Sequence, residues 1–436
     1  MPQARPVANR GIAPIAAGPM DSTPKSRTPT DVIIVGGGII GTALACELAG
    51  RGLRVLLLER GSIAGEGSAA SAAAAGMLTP QAEADEPSAF FDFGLANRAI
   101  YADWVRAVSA EAELPIEYRT LPVLLIATDE SQAALLRAKA AWQAARGLRT
   151  EWLSAAEAQE REPILAPDLA GALLLPAEAV VDSKGLTIAL AAAARKRGAR
   201  IVDGTTATEL ILAGGPEGDR AVGVVAGGTA HRAATVVIAA GAWGSAISRL
   251  PIPADWIQPR RGQILVVRPA APAGFVGPAM QPLRHVLYTH GAYAVPRANG
   301  DLVLGTTVED AGFRPVVTAA GLAGIVGGVT RFAPGLAGAE VIRTAVGLRP
   351  AARDGLPAIG LMARMPGLAL AIGHFRNGIL LAPLTARLLA DAIVTGQHPA
   401  ELAPFSPDRL PPAGTPTGTR PTPDARAASG ARSAAH

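Results

Sequence analysis

Residues 31–61 read DVIIVGGGIIGTALACELAGRGLRVLLLERG. Asp31–Val35 is a short apolar strand, and Gly36, Gly38 and Gly41 follow it at GxGxxG spacing. Ile40–Ala49 has helical character, and Arg54–Leu58 is a second apolar strand that ends at Glu59. Together these make a complete βαβ unit. Gly36 permits the tight turn, Gly38 lets the backbone approach a pyrophosphate, and Gly41 lets the helix pack close to the strands. The helix start offers free N–H groups and positive dipole potential to phosphates, and Ile39 just before it is a further candidate for cofactor contact. Glu59 is placed to accept hydrogen bonds from ribose hydroxyls, with Arg60 beside it, and an acid there disfavours a 2′-phosphate. The unit predicts a dinucleotide site but does not choose between FAD and a nicotinamide.

Working outward, the chain does not continue with further βαβ units. A long small-residue segment, GSIAGEGSAASAAAAGMLTPQAEADEP (61–87), comes first. Amphipathic helices are predicted around 87–113 and 129–145, with a strand over 119–128 between them. Nucleotide-domain character returns with a helix over 185–197, a strand at Ala199–Val202 and another strand beyond it. ATVVIAAGAWGSAI (234–247) is an apolar strand ending in Ala239, Ala240 and Gly241, small residues that let the chain pass close to a nucleotide. Residues 262–345 return to β character, with a helix over 316–330. Residues 368–394 supply a last strand, a glycine turn and a long helix.

The fold class predicted is therefore α/β and interleaved. A Rossmann-like nucleotide domain is assembled from 31–80, 175–250 and 350–400. A β-rich substrate domain draws on 81–174 and 251–349. A simple NAD dehydrogenase usually keeps its nucleotide half contiguous; by analogy of fold, interleaving suits a flavoenzyme whose FAD lies extended under a separate sheet.

Composition narrows the class further. The chain has 436 residues, 49% hydrophobic and 17% charged, enough to bury a substantial core. Residues 1–30 and 405–436 are rich in Pro, Gly, Ala, Ser and Thr without apolar periodicity, and both are expected to be disordered. These tails carry the positive charge: of the formal net +4, residues 1–30 hold +3 and 403–436 hold +2, which leaves the body near −1. A nucleic-acid binder would carry its positive field on a folded face, so none is expected as partner. The single cysteine, Cys46, excludes an internal disulfide or a multi-cysteine metal site, and no metal is expected. No continuous apolar h-region marks a secretory signal, and no apolar run reads as a membrane span. A cytoplasmic enzyme is the expectation.

Arg349, in VGLRP at the end of an apolar strand, is poorly explained by packing, whereas its planar fork suits bidentate pairing with a carboxylate. Tyr293 lies in an alternating β stretch, GAYAVPR, where its ring could simply be core. Arg376 and His374 sit in GHFRNGILLAP (373–383), and no His/Asp/Glu spacing makes His374 a metal ligand.

Taken together, DVIIVGGGIIG (31–41), SAASAAAAGMLTPQAEADEP (68–87), VDSKGL (181–186), VVIAAGAWGS (236–245), AYAVPR (292–297), VGLRPAARDGLP (346–357) and GHFRNGILLAP (373–383) resemble the D-amino-acid-oxidase-like flavoprotein family, and within it the glycine oxidases that serve thiamine biosynthesis. The first stretch is generic to FAD and NAD proteins; AAAAGML with its following AE, and GHFRNGILLAP, are more specific. The resemblance implies noncovalent FAD in a glutathione-reductase-type domain. It implies that the pyrophosphate meets Gly36, Gly38 and Gly41, that Ser68, Ala69 and Ser71 run beside the pyrophosphate and ring, and that Ala207 approaches the adenine. It also places Gly241, His374, Arg376, Asn377, Gly378 and Ile379 in the cofactor site, with backbone donors at 376–378 facing the N1/C2 edge of the isoalloxazine. That last placement agrees with the general affinity of helix N-termini for anions.

The resemblance further implies that Arg349 holds the substrate carboxylate, that the Tyr293 hydroxyl helps fix it or lines the pocket, and that Arg376 pairs with substrate or flavin or braces its turn. Met77, in the GML turn, is either packing or pocket lining. Where relatives place a methionine after the strand that follows Tyr293, this chain has Val308, which opens the question of side-chain selectivity. No strong general base is required if the substrate amine binds neutral. The expected reaction is oxidation of a small amino acid, glycine first, by oxygen to an imine and hydrogen peroxide, with the imine hydrolysing to glyoxylate or feeding thiazole formation. A sarcosine or other secondary-amine oxidase and a D-amino-acid dehydrogenase stay open as alternatives, as does a nicotinamide-dependent dehydrogenase. Relatives of this kind also imply a homo-oligomer.

Overall fold

The computed structural model describes residues 30–65, 69–214, 218–269 and 283–416. The strand Thr30–Val35 lies parallel between Val55–Leu58 and the carboxyl half of Thr229–Ile238. Arg200–Val202 extends this sheet beyond Val55–Leu58, and Leu368–Ile372 extends it beyond Thr229–Ile238, both in parallel. Ala358–Leu361 adds an antiparallel strand next to Leu368–Ile372. The amino half of Thr229–Ile238 leaves the parallel array to form a meander with Arg220–Ala226 and Ala207–Ala213. Central strands with near-continuous apolar sequence, such as DVIIV and VLLL, are the ones covered on both faces.

Helices Ile39–Gly50, Ser183–Lys196 and Gly378–Thr395 cover one face in a single core with Leu44, Leu48, Leu57, Leu190 and Leu389. Their starts follow local rules in part. Asp182 caps its helix through the Lys184 N–H at 3.1 Å, and Ser88 and Asp129 cap Ala89–Ala112 and Glu130–Ala145 in the same way. The helices that begin at Ile39 and Gly378 have no side-chain cap. Both of these open onto the cavity described below.

The second sheet has eight strands, and its order does not follow the sequence: Glu340–Ala352, Ile257–Arg268, Leu302–Gly305, Tyr293–Pro296, Val286–Tyr288, Val123–Ala127, Gly171–Leu175 and Glu151–Leu153. All neighbours are antiparallel except Val286–Tyr288 beside Val123–Ala127. Helix Ala319–Phe332 packs Ile325, Val329 and Phe332 on one face. The other face carries Tyr288, Tyr293, Val295 and Val303. Met77–Leu78, Ala179–Val181 and Tyr118–Thr120 make a small third sheet.

Two expectations need correction. Helix Ala89–Ala112, which falls in a segment assigned to the substrate half, packs Phe93, Tyr101, Val105 and Val108 into the nucleotide-side core. Tertiary packing, not position along the chain, decides where its apolar stripe goes. The expected disordered tail from 405 also begins too early. Phe405 and Leu410 are 1% and 2% exposed, and Arg409 donates to the Asp354 carboxylate and the Leu356 carbonyl, each at 2.8 Å. Two large apolar side chains and the Arg409 hydrogen bonds anchor this Pro-rich stretch. The expectations for 1–29 and 417–436 lie outside the described residues.

Helix Gly378–Thr395 is the one described helix long and apolar enough to cross a membrane. Twelve of its eighteen residues are buried against other elements, so it is a core helix.

Candidate active site

Between the carboxyl ends of the parallel strands and the second sheet lies a cavity of about 910 Å³. The glycine loop forms one end. Gly36 has φ +112°, and a Cβ on it would stand 2.4 Å from the Ala239 carbonyl oxygen. This explains together why residue 36 has no side chain and why strand Thr229–Ile238 runs out into small residues. A Cβ on Gly41 would fall 1.9 Å from the Gly36 oxygen, so Gly41 serves close helix–strand contact and does not line the cavity. Gly38, Ile39 and Ser71 do line it, and the Ile39 N–H donates to the Ser71 hydroxyl at 3.0 Å. Glu59 is locked by backbone donors, with the Gly37 N–H at 2.6 Å and the Gly61 N–H at 2.8 Å. The Arg60 guanidinium lies 3.3 Å above the Trp243 ring, and both line the same end.

Ala69, Ala207, Gly241 and Met77 also line this cavity, as do His374, Arg376, Asn377, Gly378 and Ile379. Ser68 lies outside the described residues. His374 is 3% exposed, with its Nε2 3.3 Å from the Thr385 hydroxyl, and burial pushes its pKa down to about 3. It is a neutral imidazole behind the helix start. Phe375 takes a left-handed φ of +47°, and its N–H donates to the Pro350 carbonyl at 3.0 Å, which fixes the turn on which Arg376 and Asn377 sit.

Arg349 and Tyr293 face the cavity from the second sheet. Arg349 donates from Nη1 to the Thr307 carbonyl at 2.9 Å and from Nη2 to the Thr306 hydroxyl at 2.7 Å. Two glycines make room for this pair. A Cβ at Gly262 would be 2.0 Å from Arg349 Nη1, and one at Gly305 would be 2.3 Å from the Tyr293 oxygen. Burial raises the Tyr293 pKa, with Arg349 opposing the shift, so the phenol stays a proton donor at neutral pH. The ring stacks on Tyr288, with centroids 6.4 Å apart and planes 12° off parallel.

Three residues of this region were not expected from the sequence. Thr306 orients Arg349. Glu83 accepts from the Tyr288 hydroxyl at 3.3 Å and lies 3.6 Å from Arg376 Nε, while Arg376 Nη2 stands 3.4 Å from that same hydroxyl. The AE of QAEADEP was a visible signal for Glu83; Tyr288 and Thr306 sit in ordinary β sequence and had none. Val308 is corrected: it is 38% exposed and does not line the cavity, so the position next to the pocket on that segment belongs to Thr306.

The cavity fits a dinucleotide by its own geometry: a side-chain-free glycine loop, an uncapped helix start, and a bound carboxylate at the end of the second strand. The basic and phenolic groups enter the same cavity from the second sheet.

Comparison with known proteins gives the family. The family described as FAD dependent oxidoreductase (DAO) matches residues 31–392. The chain is 35% identical over 380 residues to a glycine oxidase of Geobacillus kaustophilus, covering 86% of this chain and 96% of that one. It is also 35% identical over 375 residues to the bifunctional protein ThiO/ThiG of a Nostoc species, of which it spans only 54%. The crystal structure of the glycine oxidase from Geobacillus kaustophilus superposes with a TM-score of 0.78 at 34% identity, covering 87% of this chain and 98% of that one.

Proposed function

Because this chain belongs to the DAO family of FAD-dependent oxidoreductases, we propose that it oxidises glycine to the imine with oxygen as acceptor, in service of thiazole synthesis for thiamine. The net reaction consumes glycine, O₂ and water and yields glyoxylate, ammonia and H₂O₂ once the imine hydrolyses. FAD, when bound, supplies the two-electron chemistry. Gly36, Gly38, Ile39, Glu59, Arg60, Ala69, Ser71, Ala207 and Gly241 would hold its nucleotide portion. Asn377, Gly378 and Ile379 would hold the redox end through the uncapped helix start.

One observation carries the reading: Arg349 and the protonated Tyr293 face the cavity together from the second sheet. A guanidinium fork and a phenol donor are a receptor for a small carboxylate. Arg349 is already aimed by Thr306 and Thr307, so little side-chain freedom is lost when a carboxylate arrives. No described side chain there has to remove a carbon-bound proton. The protein's task is to hold the α-carbon in one place with its amine neutral. His374, neutral and behind the turn, positions Arg376 and Asn377 and does not exchange protons with substrate.

The test is peroxide release by the purified FAD-loaded protein under air across glycine, sarcosine, D-alanine and D-proline. Glycine should be turned over with stoichiometric peroxide. Turnover of sarcosine alone, or D-alanine oxidation only with an artificial acceptor, would replace this reading with a secondary-amine oxidase or a dehydrogenase. The division into a nucleotide half and a substrate half, a cytoplasmic location and a homo-oligomeric state are parts of the same proposal, supported by likeness to the glycine oxidases.

A further inference from the structure

A second cavity, of about 800 Å³, lies on the far side of Glu83 and Arg376. It shares Glu83, Phe375, Arg376 and Asn377 with the first cavity, and these residues form the wall between the two. Its outer rim carries exposed Asp85, Glu86, Leu135, Ala138 and His290. The first cavity reaches solvent at its adenosine end, past exposed Arg60, Gly61, Ser62 and Thr208, where a dinucleotide would close it. An amino acid bound for Arg349 therefore needs another way in, and the second cavity ends on the correct side.

Building on the amino-acid oxidase reading, we propose that the second cavity is the substrate's antechamber and that the Glu83–Arg376 pair, tied to the Tyr288 hydroxyl, is a gate selective for zwitterions. The pair is loose, at 3.6 Å, and both members touch Tyr288 at 3.3–3.4 Å. An α-amino acid carries the complement of each half. Its carboxylate takes over Arg376 and its ammonium takes over Glu83, so the gate opens by exchange of partners without leaving a charge bare; the ammonium gives up one proton to solvent in the antechamber before the amine passes on as the neutral form. A simple carboxylate can replace only one half and meets the Glu83 charge unpaired. Arg376 thus meets the substrate before Arg349 does.

The test follows acetate binding to the FAD-loaded protein by rapid mixing, with flavin absorbance as the signal. Ala138→Trp fills the rim at an exposed helical position remote from Arg349 and the glycine loop. It should slow acetate association and dissociation together, about fivefold or more, with Kd within about twofold of wild type. A passage has this signature; a direct contact would change Kd instead. Glu83→Gln removes the lock and its repelling charge, so acetate association should rise about threefold or more. The advantage of glycine over acetate in association, read from anaerobic flavin reduction, should shrink. Wild-type rate constants in Ala138→Trp, or a changed Kd with unchanged dissociation, would overturn the gate. A wild type whose flavin is reduced by none of glycine, sarcosine, D-alanine and D-proline would overturn the oxidase reading itself, and the zwitterion gate with it.

Discussion

Arg349 is held by Thr307 at 2.9 Å and Thr306 at 2.7 Å and still faces the cavity, so its guanidinium is part of the resting architecture. Arg349→Ala should leave FAD bound, because the glycine loop's contacts with Ala239, Glu59 and Ser71 do not involve it. It should lower kcat/KM for glycine by an amount equivalent to about 2–5 kcal/mol, the usual penalty of leaving a buried charge unpaired. Steady-state peroxide assays check this, and wild-type kinetics would remove Arg349 from its role. Arg349→Lys should recover only part of the loss, since a point charge does not replace a planar fork. His374 gives a prediction in stability instead. Burial depresses its pKa from 6.5 to about 3, so the folded state keeps it neutral while the unfolded chain protonates it. Its contribution is fully present above pH 6.5 and is lost as pH falls toward 3, at up to about 1.4 kcal/mol per pH unit. The stability difference between wild type and His374→Gln should therefore shrink by about 2 kcal/mol between pH 7 and pH 5. A constant difference in denaturant melts at the two pH values would refute it. Arg349 was legible in the sequence because a charge at an apolar strand end stands out. Tyr288 and Thr306 were not, because what they do depends on which strands become neighbours.

Helix Gly378–Thr395 shows what one element demands of another. Pro383 lies inside it and has no N–H to give the Ile379 carbonyl four residues back. The Tyr101 hydroxyl fills that vacancy at 2.9 Å, and Asn97 Oδ1 accepts from the Leu384 N–H at 2.9 Å. Both come from helix Ala89–Ala112, which is why that helix belongs to the nucleotide-side core despite its place in the chain. Tyr101 is fully buried, and burial raises its pKa well above the usual phenol range, so it is always a donor. Tyr101→Phe should leave the Ile379 carbonyl unpaired and cost about 1–3 kcal/mol. The loss should appear in thermal melts, and because Ile379 also lines the cavity, FAD affinity should weaken with it. An unchanged melting temperature would mean the carbonyl finds another donor. The sequence predicted a long helix here because apolar residues run on through the proline. It could not show the partner that makes the proline tolerable, since Tyr101 is 278 residues away from Ile379. The strands Glu151–Leu153 and Gly171–Leu175 went unread for a related reason. Each is short, and GALLL is buried throughout, so it lacks the alternation that marks a half-exposed strand.

At the scale of the whole molecule, two sheets are built from alternating stretches of one chain and meet across a cavity of about 910 Å³. The interleaving was legible, because nucleotide-like segments recur at three separated places, but the sheet order of the second half was not. A cavity of this size between two cores is stabilised by what fills it. Any ligand that binds only the folded state adds RT ln(1 + [L]/Kd), about 2.7 kcal/mol at a hundredfold excess over Kd. FAD at that excess should raise the melting temperature of the stripped protein by several degrees. The two ends of the cavity should contribute separately. ADP, which needs only the glycine loop, Glu59 and the Arg60–Trp243 end, should produce part of the shift; riboflavin, which lacks those contacts, should produce less. Differential scanning fluorimetry of apoprotein with each compound reads this directly. If ADP gave no shift while riboflavin gave the whole of it, the glycine loop would not be the anchor. The tight φ of Gly36, its contact with Ala239 and the locked Glu59 would then be features of packing alone.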